Sequence, residues 1–115
     1  MINMDTLKKN YEFKNVLTKG KYYSGNNIDI YILKNKKEKN IIGIAVSTKV
    51  AKAVKRNRIK RLIRENYRLI ENKLFSGYNI LFLWKKKRDI KYATFNNIEK
   101  DMEKIFSEAK LFKEK

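Results

Sequence analysis

The chain has 115 residues, and its 29 Lys plus Arg against 12 Asp plus Glu leave a net charge of +17. It contains no cysteine and no histidine, which excludes disulfides, thiolate metal sites, Ser–His and Cys–His nucleophiles and the usual general base near neutral pH. Self-repulsion at this charge destabilises a compact chain, so a polyanionic partner is expected; no apolar run nears the roughly 18 residues of a membrane span.

Residues 1–9 are polar and basic and are expected to be loosely ordered. Asn10 can cap a helix running through Tyr11, Phe13, Val16 and Leu17, with Gly20 as its stop. There is room for one short strand near residues 21–24. Ile28-Asp29-Ile30-Tyr31-Ile32-Leu33 alternates as a strand does. Lys34 to Asn40 is a charged turn without an apolar residue, and Ile41 to Val46 is a second strand, so the two are expected to form a hairpin. From Val50 to about Lys73 the period becomes helical, with Ile59, Leu62, Ile63, Asn66 or Tyr67, and Ile70 on one stripe. Ser76-Gly77 punctuates.

Tyr78 to Trp84 is apolar almost throughout, as in a strand covered on both faces, and Lys85-Lys86-Lys87-Arg88 follows it. Thr94 to about Phe112 is an amphipathic helix with Phe95, Ile98, Met102, Ile105, Phe106 and Ala109 inward. The order is α-β-β-(β)-α-β-α. This describes one α+β domain over residues 1–115, a small sheet packed with about three helices. No repeat, linker or second domain is visible. No secretory signal is visible in the polar N-terminus after Met1-Ile2, so none is expected, and a cytoplasmic protein without an obligate protein partner is expected.

The functional signal is the helix after the second strand. Residues 49–68 carry nine cations (Lys49, Lys52, Lys55, Arg56, Arg58, Lys60, Arg61, Arg64, Arg68) and one anion, Glu65. A surface tuned for stability would intersperse acids at i+4. Here like charges stack at 56, 60 and 64 and at 61, 64 and 68, and they repel unless phosphates lie between them. Arginine dominates this segment although lysine dominates elsewhere, and a planar guanidinium matches phosphate oxygens in a bidentate way. Asn57, between two arginines, can bond a ribose, a base edge or a loop carbonyl, or serve as a local cap. Tyr11, Phe13, Tyr22, Tyr23 and Tyr31 precede the helix; rings beside positive charge suit unstacked bases, and core packing is the competing use for each.

The run Lys49-Val50-Ala51-Lys52-Ala53-Val54-Lys55-Arg56-Asn57-Arg58-Ile59-Lys60-Arg61-Leu62-Ile63-Arg64-Glu65 resembles the signature of the bacterial ribonuclease P protein subunit, with its Arg-Asn-Arg motif. Phe13 to Gly20 resembles that family's first helix, and Ile42 to Ser47 its strand before the motif. Two positions depart from it: Ala51-Lys52 stands for the usual Gly-Asn, and Lys86-Lys87-Arg88 for Arg-Lys-Pro. The resemblance implies an α-β-β-β-α-β-α fold with a left-handed βαβ crossover, an exception to the usual hand.

It also implies that a large RNA subunit holds the catalytic magnesium ions and removes the 5′ leader of precursor tRNA, while the protein assists. By the same resemblance Arg56, Asn57, Arg58, Lys60, Arg61 and Arg64 face that RNA. Phe13, Leu17, Tyr31, Ser47 and Lys49 lie in or beside a cleft for the single-stranded leader. No catalytic or metal-ligating residue is expected in the chain. Asp29, Glu65, Asp89, Glu99, Asp101 and Glu103 are scattered or fall on the last helix's outer face, which argues against a stand-alone metal nuclease. A structural rRNA-binding protein is the alternative that charge and size allow.

Overall fold

Tyr78–Trp84 forms β5 and takes the centre of the sheet. Its alternate residues serve two cores, so neither of its faces can be left to water. The computed structural model describes residues 5–6 and 10–113. In chain order the other elements are β1 (Asp5–Thr6), α1 (Asn10–Lys19), β2 (Lys21–Ser24), β3 (Ile28–Lys34), β4 (Ile41–Ala45), α2 (Ala53–Ile70) and α3 (Phe95–Glu108). Single 3-10 turns at Glu71–Lys73 and Ile90–Tyr92 flank β5 and its loop. The strand order is β1-β4-β5-β3-β2. Of the stretch expected to be loosely ordered, Asp5 and Thr6 pair in parallel with Ile41 and Ile42; the rest lies outside the described residues.

The expected β3–β4 hairpin does not form. β5 lies between the two, antiparallel to β3 and parallel to β4. Adjacency in sequence favours a hairpin, but only the central position covers both faces and both edges of the most apolar strand. The hairpin is made instead by β2 and β3, with Tyr22 opposite Tyr31 and Ser24 opposite Asp29. β4, α2 and β5 are the parallel crossover unit.

One face of the sheet presents Ile28, Ile30, Ile32, Ile42, Ile80, Phe82 and Trp84 to Ile59, Ile63 and Tyr67 of α2 and to Ile98, Met102, Ile105 and Phe106 of α3. Leu62 and Ile70 pack at its margin, so the helical stripe stands as expected. α2 begins three residues after Val50, because residues 48–51 turn first, and its last turn tightens into the 3-10 turn. Among the described residues the other face is covered only by α1, through Val16 on Ile41 and Leu81, with Phe13, Tyr31, Leu33 and Leu83 half-buried around them. One short helix cannot cover five strands, and no other described element covers the remainder of that face. α1 stops at Gly20, whose N–H donates to the Val16 carbonyl at 2.8 Å; a Cβ there would meet that oxygen at 2.5 Å.

Asp101 does not lie on the outer face of α3. It is 3% exposed and accepts from the backbone N–H groups of Asn26 at 3.1 Å, Asn27 at 2.8 Å and Ile28 at 3.1 Å. The carboxylate thus ties α3 to the β2–β3 turn. Gly25 makes room for it, since a Cβ there would sit 2.7 Å from its Cγ.

Candidate nucleic-acid interface

α2 starts in a way that a purely structural helix avoids. Its N-cap is Lys52, which makes no side-chain capping bond, and its first turn holds no acid. The positive end of the helix dipole is therefore surrounded by Lys49, Lys52 and Lys55, where acids would be favourable by about 0.3–1 kcal/mol each. Exposed N–H groups and fixed cations together make an anion-binding end. Along the same side Arg61 and Arg68 are exposed, and Lys60 and Arg64 are half-buried. Among the described residues, none of these cations lies within ion-pair distance of a carboxylate; ion pairs such as Lys85–Asp29 and Lys104–Glu108 lie elsewhere.

Two arginines of the motif also hold the fold. Arg56 donates from Nη1 to the Ala51 carbonyl at 2.8 Å, closing the turn that leads into α2. Arg58 donates from Nη1 to the Ala93 carbonyl at 3.1 Å, joining α2 to the loop before α3. Each keeps further guanidinium donors for an anion. Asn57 is exposed one turn inside α2, so it does not cap the helix. Arg88, sequence neighbour of the exposed Lys86 and Lys87, is committed elsewhere. Its Nε donates to Asn27 Oδ1 at 2.8 Å, and its guanidinium lies 3.8 Å from the centre of the Tyr92 ring.

The open part of the sheet is a cleft. Tyr31 and Tyr22 lie side by side, ring centres 5.1 Å apart. Phe13 borders them from α1. Leu17 is 42% exposed and stands outside the buried cluster, on the rim. Toward the ends of β4 and β5 the cleft deepens into a cavity of about 640 Å³ lined by Asp29, Ala45, Ser47, Leu83, Lys85, Lys86 and Lys87. Ser47 and Lys49 lead from this cavity into α2; Ser47 Oγ accepts the Lys49 N–H at 3.2 Å. The structure therefore brings Phe13 and Tyr31 together, sets Ser47 at the far end of the same surface, and runs that surface into the start of the basic helix.

Sequence reasoning did not find the polar knot on the cleft floor. Lys85 Nζ donates to Asp29 Oδ1 at 2.6 Å and to Ser24 Oγ at 2.7 Å, and the Tyr22 hydroxyl donates to the same carboxylate oxygen at 3.0 Å. Burial lowers the Lys85 pKa, but the Asp29 hydrogen bond and charge outweigh it, and the net shift is upward from 10.5. The Asp29 carboxylate thus favours the charged ammonium. The signal was available in the alternation of β2 and β3, which puts Tyr22, Ser24, Asp29 and Tyr31 on one face.

Because α2 carries cations where its own stability calls for acids, Lys55→Glu is expected to separate the two roles. At the third position of the helix it should raise the melting temperature by about 1–4 °C and weaken binding of a polyanion about tenfold. Thermal melts and a filter-binding titration check both signs; a loss of stability with unchanged binding would contradict it.

No three His, Cys, Asp or Glu side chains come together as a metal site among the described residues. No helix among them is long and apolar enough to cross a membrane.

The family model described as Ribonuclease P matches residues 1–110. The ribonuclease P protein component of Fusobacterium nucleatum is 44% identical over 110 residues, covering 94% of this chain and 99% of its own. That of Clostridioides difficile is 44% identical over 100 residues, 86% of each chain. Among solved structures, the Staphylococcus aureus RNase P protein superposes with a TM-score of 0.83 at 29% identity, over 96% of this chain and 100% of that one. The Thermotoga maritima RNase P protein superposes with a TM-score of 0.78 over 90% of this chain and 96% of that one; at 22% identity it speaks to the fold alone.

Proposed function

The chain belongs to the ribonuclease P protein family, and from that premise we propose that it grips the catalytic RNA with α2 while its cleft holds the 5′ leader of precursor tRNA. Membership itself makes the chain a component of an endoribonuclease complex of tRNA processing, with the ribonuclease P RNA as partner. The division of labour is our inference. The observation that carries it is one continuous surface, from the Tyr22–Tyr31 pair through the Lys85–Lys87 cavity to the unneutralised start of α2.

Each part has a physical task. Rings at the sheet surface offer stacking planes to unpaired bases, and Lys86 and Lys87 lie where the phosphates of an extended strand would pass. Asp29 and Lys85 hold each other, so the cleft floor is polar but locally neutral and does not clamp the strand too tightly to release. On α2, Lys49, Lys52, Lys55, Arg61, Arg64 and Arg68 neutralise phosphates of the catalytic RNA, with the remaining donors of Arg56 and Arg58. Magnesium takes oxygen ligands, and no three acidic side chains come together among the described residues. We therefore assign the ions to the RNA and no bond-breaking step to this chain. The complex would work in the cytoplasm.

Leader length provides the test. In the reconstituted complex, a precursor with a leader of several nucleotides should bind at least tenfold tighter than one with a single leader nucleotide, and Tyr31→Ala should remove most of that difference. Equal affinities for the two precursors would contradict leader binding by the cleft. A structural rRNA-binding protein would give no leader dependence at all.

A further inference from the structure

We propose a second contact for single-stranded RNA, in a groove beyond the C-terminal end of α2. After the 3-10 turn the chain pairs with its own last described residues. Phe75 N–H donates to the Leu111 carbonyl and Lys113 N–H to the Lys73 carbonyl, both at 2.8 Å, around an antiparallel Leu74–Phe112 bridge. Leu74 and Leu111 turn inward and are buried. Phe75 turns outward and is 47% exposed. Lys110, with φ of 58°, swings the chain out of α3 to make this pairing.

The result is a groove of about 910 Å³ lined by Phe75, Ser107, Lys110, Phe112 and Lys113. Phe112 is fixed by an edge contact with Phe106, ring centres 6.2 Å apart, so Phe75 offers the free ring plane. The lining residues include two lysines and no carboxylate among those described. An exposed aromatic plane between ammonium groups matches one unstacked base with its two flanking phosphates. Duplex fits poorly, because stacking on a ring needs an open base face.

The groove is distinct from the interface above. α2 has 18 residues, so at 1.5 Å per residue its two ends are about 27 Å apart. The basic start of α2 and the cleft cavity lie at one end, and this groove follows the other. A chain that holds two RNA segments this far apart gains affinity through effective concentration, even if each contact is weak.

The test is a titration of the full chain with hexauridylate, followed through backbone amide NMR signals. Amides at Lys73–Phe75 and Lys110–Lys113 should shift, and should still shift in an Arg61→Ala/Arg64→Ala variant, which separates this site from the α2 interface. Phe75→Ser should weaken the binding read at these amides about tenfold. Phe75→Leu, which keeps apolar bulk but lacks the ring plane, should give the same loss if the serine variant is unstable. Three results would overturn the proposal. One is shifts confined to α2 and the cleft, which would leave the function proposed above intact. Another is shifts at the groove that neither Phe75 variant weakens. The third is equal or larger shifts with hexaglutamate, which would make the groove a site for acidic peptide.

Discussion

Replacing Arg61 and Arg64 together by alanine is expected to lower affinity for the ribonuclease P RNA by roughly 10²–10⁴-fold, with little change in melting temperature. The magnitude follows from two charge-assisted hydrogen bonds at about 1.5–3 kcal/mol each. Neither side chain makes a hydrogen bond or ion pair within the described residues, so the fold gives up little beyond the packing of their stems. Binding by the unaltered chain should also fall steeply with salt. About six to ten phosphate contacts give a slope of log affinity against log salt on the order of −4 to −9. The double variant should flatten that slope by about 2.

Arg58→Ala is the informative contrast. It should lose both binding and stability, because the Arg58 Nη1 bond to the Ala93 carbonyl anchors α2 to the loop before α3. Equal melting temperatures for the Arg58 and Arg61 variants would show that this anchor contributes nothing.

Asp101→Ala should be the most destabilising single change on the surface-facing helices. Three backbone N–H groups lose their acceptor at once. Two of the three residues, Asn27 and Ile28, are buried, so water replaces the carboxylate poorly. At about 1–3 kcal/mol for each buried unsatisfied donor, less for the exposed Asn26, the sum is about 3–5 kcal/mol. For a domain of this size that is a fall in melting temperature of roughly 12–20 °C. Asp101→Asn keeps one acceptor oxygen and should recover part of it. Because the β2–β3 turn carries Tyr22, Ser24 and Asp29 into the cleft, the alanine variant should also weaken the leader binding proposed above, at temperatures where it is still folded. Thermal denaturation of the three proteins checks the order; an alanine variant as stable as the parent would mean that the clamp is idle.

The basic helix and its core stripe were legible because both are local. Periodicity places Ile59, Ile63 and Tyr67 inward, and the lack of acids near them says what the outer side is for. Strand order was not local. Whether β3 meets β4 depends on which strand needs two covered faces, and that was decided by β5, more than thirty residues downstream of β4. The role of Asp101 was hidden for the same reason. An acid in mid-helix looks solvated until the chain brings it against backbone donors 73 to 75 residues away.

Within the candidate site, the residue types were readable but their side duties were not. Arg56, Arg58 and Arg88 all look like free cations in the sequence, yet each donates to the fold. The cleft placement of Phe13, Leu17, Tyr31 and Ser47 comes from resemblance; the structure sets Tyr22, one of the rings already named in the sequence, beside Tyr31 and adds the Lys85–Asp29 pair. Aromatic residues alone could not have been sorted into core and cleft, since Tyr23 and Tyr31, on neighbouring strands, turn to opposite faces of the sheet.

Single-turnover cleavage of a precursor tRNA by the ribonuclease P RNA, at a magnesium concentration too low for the RNA to act alone, addresses the division of labour directly. Adding this chain should restore removal of the leader, the Arg61→Ala/Arg64→Ala variant should fail to do so at the same concentration, and the chain without RNA should leave the substrate intact. Leader removal by the chain alone, or no stimulation of the RNA by the folded chain, would contradict it.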